Sequence, residues 1–270
     1  MRSTDGLDAA GVEGPSGRGL LVIGLGVTGE SVARHALAGA TPPGSSTPIE
    51  RVVVVDDDPE RSGFAARADA ARAMGAEVAG APDVRGLDDL VASSALVVPS
   101  PGVPPGHPVF ELAARRGVPV LSEVELGAAA GRALGRRLVA VTGTNGKTTV
   151  VTLITQMLLE GGVRAASAGN IGRPLLDAVH DDLDVVVAEV SSFQLAYTRD
   201  FRPSVAVLLN LAPDHGDWHP SFDDYIHAKC QIFENQRGDD VLVFNADDPV
   251  VVQAVVAAPA LRRPCSLDHA

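Results

Sequence analysis

Cysteine, aromatic residues and lysine are all scarce in this sequence. Its 270 residues include two cysteines, Cys230 and Cys265, too few for a disulfide framework and suited to a reducing compartment. Basic side chains number 22 against 34 acidic ones, a formal charge of −12. That balance excludes a nucleic-acid partner, which would need a basic footprint to neutralise phosphates. It leaves room for small anionic ligands, because backbone amides and a single lysine hold those locally. No apolar run approaches the roughly 20 residues that cross a bilayer. The opening stretch, Met1 to Gly19, is polar and lacks the apolar centre of a signal peptide. The expectation is a soluble, cytoplasmic protein, monomeric, with a loose tail over residues 1–18 and no membrane partner.

Lysine is the most informative scarcity. Of the 22 basic residues, 20 are arginine and two are lysine, Lys147 and Lys229. A general drift toward arginine accounts for the arginines. It also singles out the two lysines, since arginine serves at any ordinary surface site. Arginine cannot replace an amine that must lose its proton, and it is a poor substitute for a compact point charge at a phosphate.

Hydrophobic side chains make up 46% of the chain, enough for one large core or two modest ones. Short β-branched runs alternate with Ala-rich helical stretches, the pattern of a parallel sheet covered by helices. Leu20–Ile23, Arg51–Val55, Ala95–Val98 and Val118–Leu121 read as strands of a first unit. Leu138–Val141, Val185–Val190, Val205–Leu209 and Val241–Phe244 read as strands of a second, with the boundary near Ser122–Glu123. Thr41–Pro48 is all turn formers and small polar residues and reads as a surface insertion. No closing element is legible after Leu267, so a missing C-terminal portion is expected.

Two glycine-rich turns carry the chemistry. Gly24-Leu-Gly-Val-Thr-Gly29 follows a strand and opens a helix over about Thr28–Ala38, the context in which helix-terminal amides hold a pyrophosphate. Without the eight-residue insertion, Asp56 falls 22 residues after Gly26, the place of a ribose or base contact. A nicotinamide dinucleotide, another nucleotide, and a tight turn that binds nothing all stay open from this motif alone. Thr142-Gly-Thr-Asn-Gly-Lys-Thr-Thr149 joins a buried strand to a helix over Lys147–Glu160. Gly143 and Gly146 free amides to curl around phosphate oxygens, Lys147 supplies a point charge and Thr148 a hydroxyl for Mg²⁺. Val141 stands where the usual phosphate loop begins with glycine. The expected fold class is α/β: a Rossmann-like domain over residues 19–121, then a P-loop-type domain with a mostly parallel sheet over 122–270.

The shortened TGTNGKTT loop resembles the ATP-binding loop of the Mur ligases and their folylpolyglutamate synthetase relatives. Further stretches are similar to that family in its own order: Pro99-Ser-Pro-Gly-Val103 with His107-Pro108, Gly169-Asn-Ile-Gly172, Glu189-Val-Ser-Ser-Phe-Gln-Leu195, Asn210–Trp218, Ala228-Lys-Cys-Gln-Ile-Phe233 and Asn245-Ala-Asp-Asp248. The stretch Ser-Ser-Phe-Gln-Leu resembles the D-glutamate-adding branch. The resemblance implies an ATP-dependent amide-bond-forming ligase of peptidoglycan precursor synthesis, with UDP-N-acetylmuramoyl-L-alanine and D-glutamate as partners. It implies a UDP-sugar contacted by Gly26, Val27, Thr28, Asp56, Ser100, Gly102, Asn170 and Ser191. ATP falls to Gly143, Thr144, Asn145, Gly146, Lys147, Thr148 and Thr149. Two Mg²⁺ fall to Thr148 and Glu189, and to His215 with a carbamylated Lys229; Lys147, Lys229 and His215 are the catalytic set. The family's C-terminal domain is not found in this sequence, and the 270 residues are expected to be folded but inactive alone. A sister ligase and a non-catalytic nucleotide-binding module remain the rival readings.

The sequence departs from the family pattern where Asp57 and Asp58 follow Asp56, and where Pro213 and Gly216 flank Asp214-His215. The alternation Asp214-His215-x-Asp217-x-His219 also admits a polar turn or a zinc site. Lys229 has independent support for burial. Ser221 can cap a helix on which Phe222, Ile226, Lys229 and Phe233 share one face. A lysine there either snorkels to water or is buried with a depressed pKa that lets its neutral amine capture CO₂.

Overall fold

The computed structural model describes residues 18–39, 43 and 48–267. The tail and nearly all of the insertion read from the sequence lie outside them. Four parallel strands form the first sheet in the order β3-β2-β1-β4. They are β1 (Gly19–Ile23), β2 (Arg51–Asp56), β3 (Glu77–Gly80) and β4 (Ser94–Pro99). The helices α1 (Val27–Leu37), α2 (Phe64–Ala73), α3 (Val84–Ala92) and α4 (Pro108–Arg116) connect and cover them. Strands β1 and β2 are apolar on both faces because helices cover both, which is why they read as continuous Leu/Val runs.

The turn after β1 depends on glycine at two positions. Gly24 has φ +91°, and its N–H donates to Val55 O at 2.7 Å. A Cβ on Gly29 would stand 2.1 Å from Gly24 O, a backbone atom that cannot swing away. Gly29→Ala should therefore cost about 3 kcal/mol or more, read as a lowered urea midpoint with an unchanged slope.

The extended segment expected at Val118–Leu121 is not a strand. It meets the first sheet only through a bridge between Val97 and Val120. Pro119 sits at its centre and has no N–H to continue a ladder, although its carbonyl accepts from Val97 N.

Helix α5 (Glu123–Ala133) then leads into a six-stranded parallel sheet of order β10-β9-β8-β5-β7-β6. Its strands are β5 (Arg137–Thr142), β6 (Ala165–Gly169), β7 (Val185–Glu189), β8 (Val205–Leu208), β9 (Val241–Asn245) and β10 (Leu261–Cys265). The accompanying helices are α6 (Lys147–Glu160), α7 (Leu175–Ala178), α8 (Ser192–Leu195), α9 (Phe222–Glu234) and α10 (Pro249–Ala254). Three of the ten strands escape the sequence reading: β3, β6 and β10. Each is an edge strand, and none has the dense β-branched run of a central one.

The two sheets are joined by more than chain continuity. Leu176 of α7 sits in the core of the first unit. Asp177 accepts from Ser31 Oγ at 2.5 Å and from Arg34 at 3.2 Å, with His35 Nε2 3.0 Å away. Glu123, 2% exposed, accepts from Leu176 N at 2.5 Å. Burial raises its carboxyl from the ordinary 4.5 to about 7, against the opposing Leu176 amide and with help from the charge of Asp177. A raised carboxyl contributes stability that is full below about 4.5 and lost as pH rises through about 7. Unfolding free energy should fall across that window by more in the native chain than in Glu123→Gln, which stays neutral. Identical pH profiles would contradict this.

Candidate active site

The phosphate loop occupies the carboxyl end of β5. Gly143 has φ +155°, and a Cβ there would stand 2.9 Å from Leu209 Cβ; Gly146, with φ +83°, caps α6. The loop is braced from β8's exit: Thr144 N donates to Asn210 O at 3.0 Å and Asn145 N to Asn210 Oδ1 at 2.8 Å. Thr144 Oγ1 lies 2.9 Å from Tyr225 OH on α9. The result is a turn opening onto the amino end of a 14-residue helix, whose unpaired amides favour an anion.

The two lysines meet at this loop. Lys147 Nζ donates to Gly143 O at 3.0 Å and to Thr144 O at 2.9 Å. Lys229 Nζ reaches the same Gly143 O at 2.9 Å from α9. Lys229 is 2% exposed and its amine lies 4.7 Å from the centre of the Tyr225 ring. Burial first, then the charge of Lys147, lowers its pKa from 10.5 to about 7. The snorkelling alternative is thereby excluded. Ser221 caps α9 as expected, accepting from Asp224 N at 3.1 Å, and the shared face of Phe222, Ile226, Lys229 and Phe233 turns inward.

Glu189, at the end of β7 and 2% exposed, accepts from Thr148 Oγ1 at 2.7 Å and from Asn170 Nδ2 at 2.9 Å. This hydroxyl and carboxylate are hard oxygen donors, chemistry that fits Mg²⁺ better than zinc. Thr149 lies exposed in the first turn of α6. His215 adopts φ +51°, leaves its side chain 43% exposed, and packs 4.7 Å from Phe193. It and Lys229 approach the same ring, Tyr225. His219 instead turns inward, its Nε2 2.9 Å from Ser192 Oγ. The Asp/His alternation therefore does not converge, and among the described residues no group of three or more His, Cys, Asp and Glu side chains could hold a metal.

In the first unit, Gly26 caps α1, with Val27 exposed and Thr28 partly so. Asp56 is 4% exposed and braces the turn: Oδ2 accepts from Leu25 N at 2.6 Å and from Arg61 at 3.0 Å, and Oδ1 from Asp58 N at 3.1 Å. Ser100 Oγ donates to Gly24 O at 2.9 Å, tying the Ser-Pro-Gly loop to the turn, with Gly102 exposed beside it. Asp57 pairs with His107 at 3.0 Å. Ser191 forms a capping box with Gln194, which engages its hydroxyl within α8. Tyr225, Asn210 and Arg61 are the site residues that sequence reasoning missed. The Ser221 cap and the phase of its helix could have placed Tyr225 beside the loop; Asn210 opens the Asn210–Trp218 stretch but carries no predicted role, and nothing local marks Arg61.

This arrangement defines an α/β nucleotide-binding protein of the P-loop type, preceded by a Rossmann-like unit. Residues 141–261 match the Mur ligase middle domain. The chain is 44% identical over 259 residues to a UDP-N-acetylmuramoylalanine–D-glutamate ligase of Frankia casuarinae, covering 94% of this chain and 51% of that one. The enzyme of the same name from Geobacter metallireducens is 41% identical over 238 residues, covering 87% and 49%. Among solved structures, a UDP-N-acetylmuramate:L-alanyl-gamma-D-glutamyl-meso-diaminopimelate ligase from Neisseria meningitides superposes with a TM-score of 0.56 at 17% identity, over 92% of this chain and 78% of that one. That likeness concerns the fold. The chain is similar to the Mur ligase family, by the middle-domain match over residues 141–261 and by these relatives over most of its length, and it spans about half the length of the curated relatives it matches. No helix among the described residues is long and apolar enough to cross a membrane.

Proposed function

We propose that this chain provides the UDP-sugar and ATP sites of a cytoplasmic, monomeric ligase joining D-glutamate to UDP-N-acetylmuramoyl-L-alanine. The observation that carries this reading is the meeting of the chain's two lysines on the Gly143 carbonyl, one half-buried at the loop and one buried. A simple nucleotide-binding loop needs the first lysine and has no use for the second. The first unit, residues 19–121, takes the UDP-sugar on the α1 amino end and the Ser100–Gly102 loop. The second, from residue 122, takes ATP on Gly143–Thr149.

In the reaction, an oxygen of the alanyl carboxylate attacks the γ-phosphorus and the bond to the bridging oxygen of ADP breaks. The amine of D-glutamate then attacks the acyl carbon, loses a proton, and phosphate leaves as the amide forms. Both steps place negative charge on crowded oxygens, which Lys147 and the loop amides stabilise from fixed positions. Thr148 and Glu189 would hold Mg²⁺, which supplies further charge neutralisation at the phosphates. Asn170 orients the Glu189 carboxylate for that task. Lys229, with its lowered pKa, presents neutral nitrogen to CO₂. A nitrogen–carbon bond forms, one C=O electron pair moves to oxygen and a proton leaves to water. The carbamate is an oxygen ligand that, with His215, would hold a second Mg²⁺.

Contacts to D-glutamate are assigned to the half of the relatives that this chain does not span, so the chain alone should bind both nucleotides and turn over little. Calorimetry with Mg-ATP, UDP-N-acetylmuramoyl-L-alanine and NADH tests this. Two independent sites filled by the first two ligands, and none by NADH, is the expected result. Binding of NADH in place of the UDP-sugar would overturn the assignment.

A further inference from the structure

At the amino-terminal edge of the second sheet, away from the phosphate loop, a cavity of about 200 Å³ is lined by Arg132, Arg136, Arg137 and Arg202 against one carboxylate, Asp240. It lies where β5 begins, whereas the phosphate loop lies where β5 ends, about 20 Å along a six-residue strand. Four guanidinium groups around one cavity are unexpected in a chain of charge −12, and their partners decide what they do.

Arg202 is neutralised, donating to Asp240 at 2.6 Å and to Asp239 at 3.1 Å. Arg136 is not. Its Nε and Nη1 donate to the carbonyls of Val179 at 3.3 Å and Leu183 at 2.8 Å, which fix the guanidinium without cancelling its charge. The side chains of Arg132 and Arg137 have no hydrogen-bond or ion-pair partner among the described residues. The carboxylates outside the cavity that feel these charges are engaged elsewhere. Glu125, which feels Arg132, accepts from Arg199 N and Asp200 N; Asp184, which feels Arg136, is held by Arg164. A cation in the last turn of α5 is favoured by the helix dipole. That accounts for Arg132, and the two carbonyls account for the placement of Arg136, in the turn; Arg137, at the strand's first residue, is left without a reason. Leu138, just accessible at 9% exposure, adds an apolar element to the lining.

We propose that this cavity is a second anion site, for a small organic anion whose phosphate or carboxylate head meets Arg132, Arg136 and Arg137 while an apolar portion rests on Leu138 and the methylene stems of the arginines. Planar guanidinium forks suit either head group. The site rests on its own residues and stands or falls apart from the ligase reading. The test is calorimetry on the Lys147→Ala chain, which removes competition from the phosphate loop. The probes are phenyl phosphate, benzoate, inorganic phosphate and phenol. One site is expected for phenyl phosphate or benzoate, whichever head is preferred, with inorganic phosphate weaker and phenol silent. Arg132→Ala/Arg137→Ala should weaken the organic anion at least tenfold. Both positions are exposed, and an unchanged thermal midpoint without anion separates this loss from misfolding. Absence of binding, or equal binding by the double variant, would overturn the proposal. Equal affinity for inorganic phosphate and phenyl phosphate would overturn its apolar part.

Discussion

Replacing Lys229 by alanine should abolish ligation at the relatives' full length, by about 10³-fold or more, with ATP binding largely kept. Short carboxylic acids should restore part of the rate by supplying the oxygen ligand that the side chain no longer provides. Lys229→Arg should stay inactive in their presence, because a guanidinium remains protonated and cannot become a carbamate. Bicarbonate enriched in ¹³C offers a readout independent of turnover, namely a carbamate resonance in the native chain that is missing from both variants. The geometry behind this is the burial of the amine against Gly143 O and Tyr225. Its pKa of about 7 leaves a large neutral fraction at physiological pH. A fully active Lys229→Arg enzyme would contradict the account.

The second large effect is expected at Lys147. Removing its ammonium should weaken ATP binding roughly 100-fold, or about 3 kcal/mol, while UDP-sugar affinity stays within twofold. Lys147→Arg should recover little, since two loop carbonyls hold a compact ammonium where a planar fork does not fit. Calorimetry with each ligand separates the two sites. Equal loss of both ligands would mean a collapsed fold, which unfolding curves would reveal.

Most of the fold was legible because central parallel strands are apolar on both faces. The runs at 20–23, 51–55, 138–141 and 185–190 needed no structure to be found. The misses have physical causes. β6 reads Ala-Ala-Ser-Ala-Gly because it lies at an edge, where a large side chain would gain little, and a Cβ at Gly169 would stand 2.3 Å from Glu189 O. Val118–Leu121 had strand composition but carried Pro119.

The lysines were legible through scarcity, and Lys229 through helical phase. The shared carbonyl was not, since sequence spacing says nothing about two side chains 82 residues apart (229 − 147). Asp56 and Ser191 stand at motif positions, and the structure engages their side chains in a turn and a helix cap. Their expected contacts with substrate remain proposals, and any such contact has to share oxygens already hydrogen-bonded.

The most direct test of the central claim is ATP-dependent phosphate release at the relatives' full length. UDP-N-acetylmuramoyl-L-alanine is supplied with D-glutamate, L-lysine, meso-diaminopimelate or L-alanine in parallel. The account predicts release with D-glutamate alone, lost on omission of the UDP-sugar. Release with another amino acid in preference to D-glutamate, or none with any of them, would contradict it.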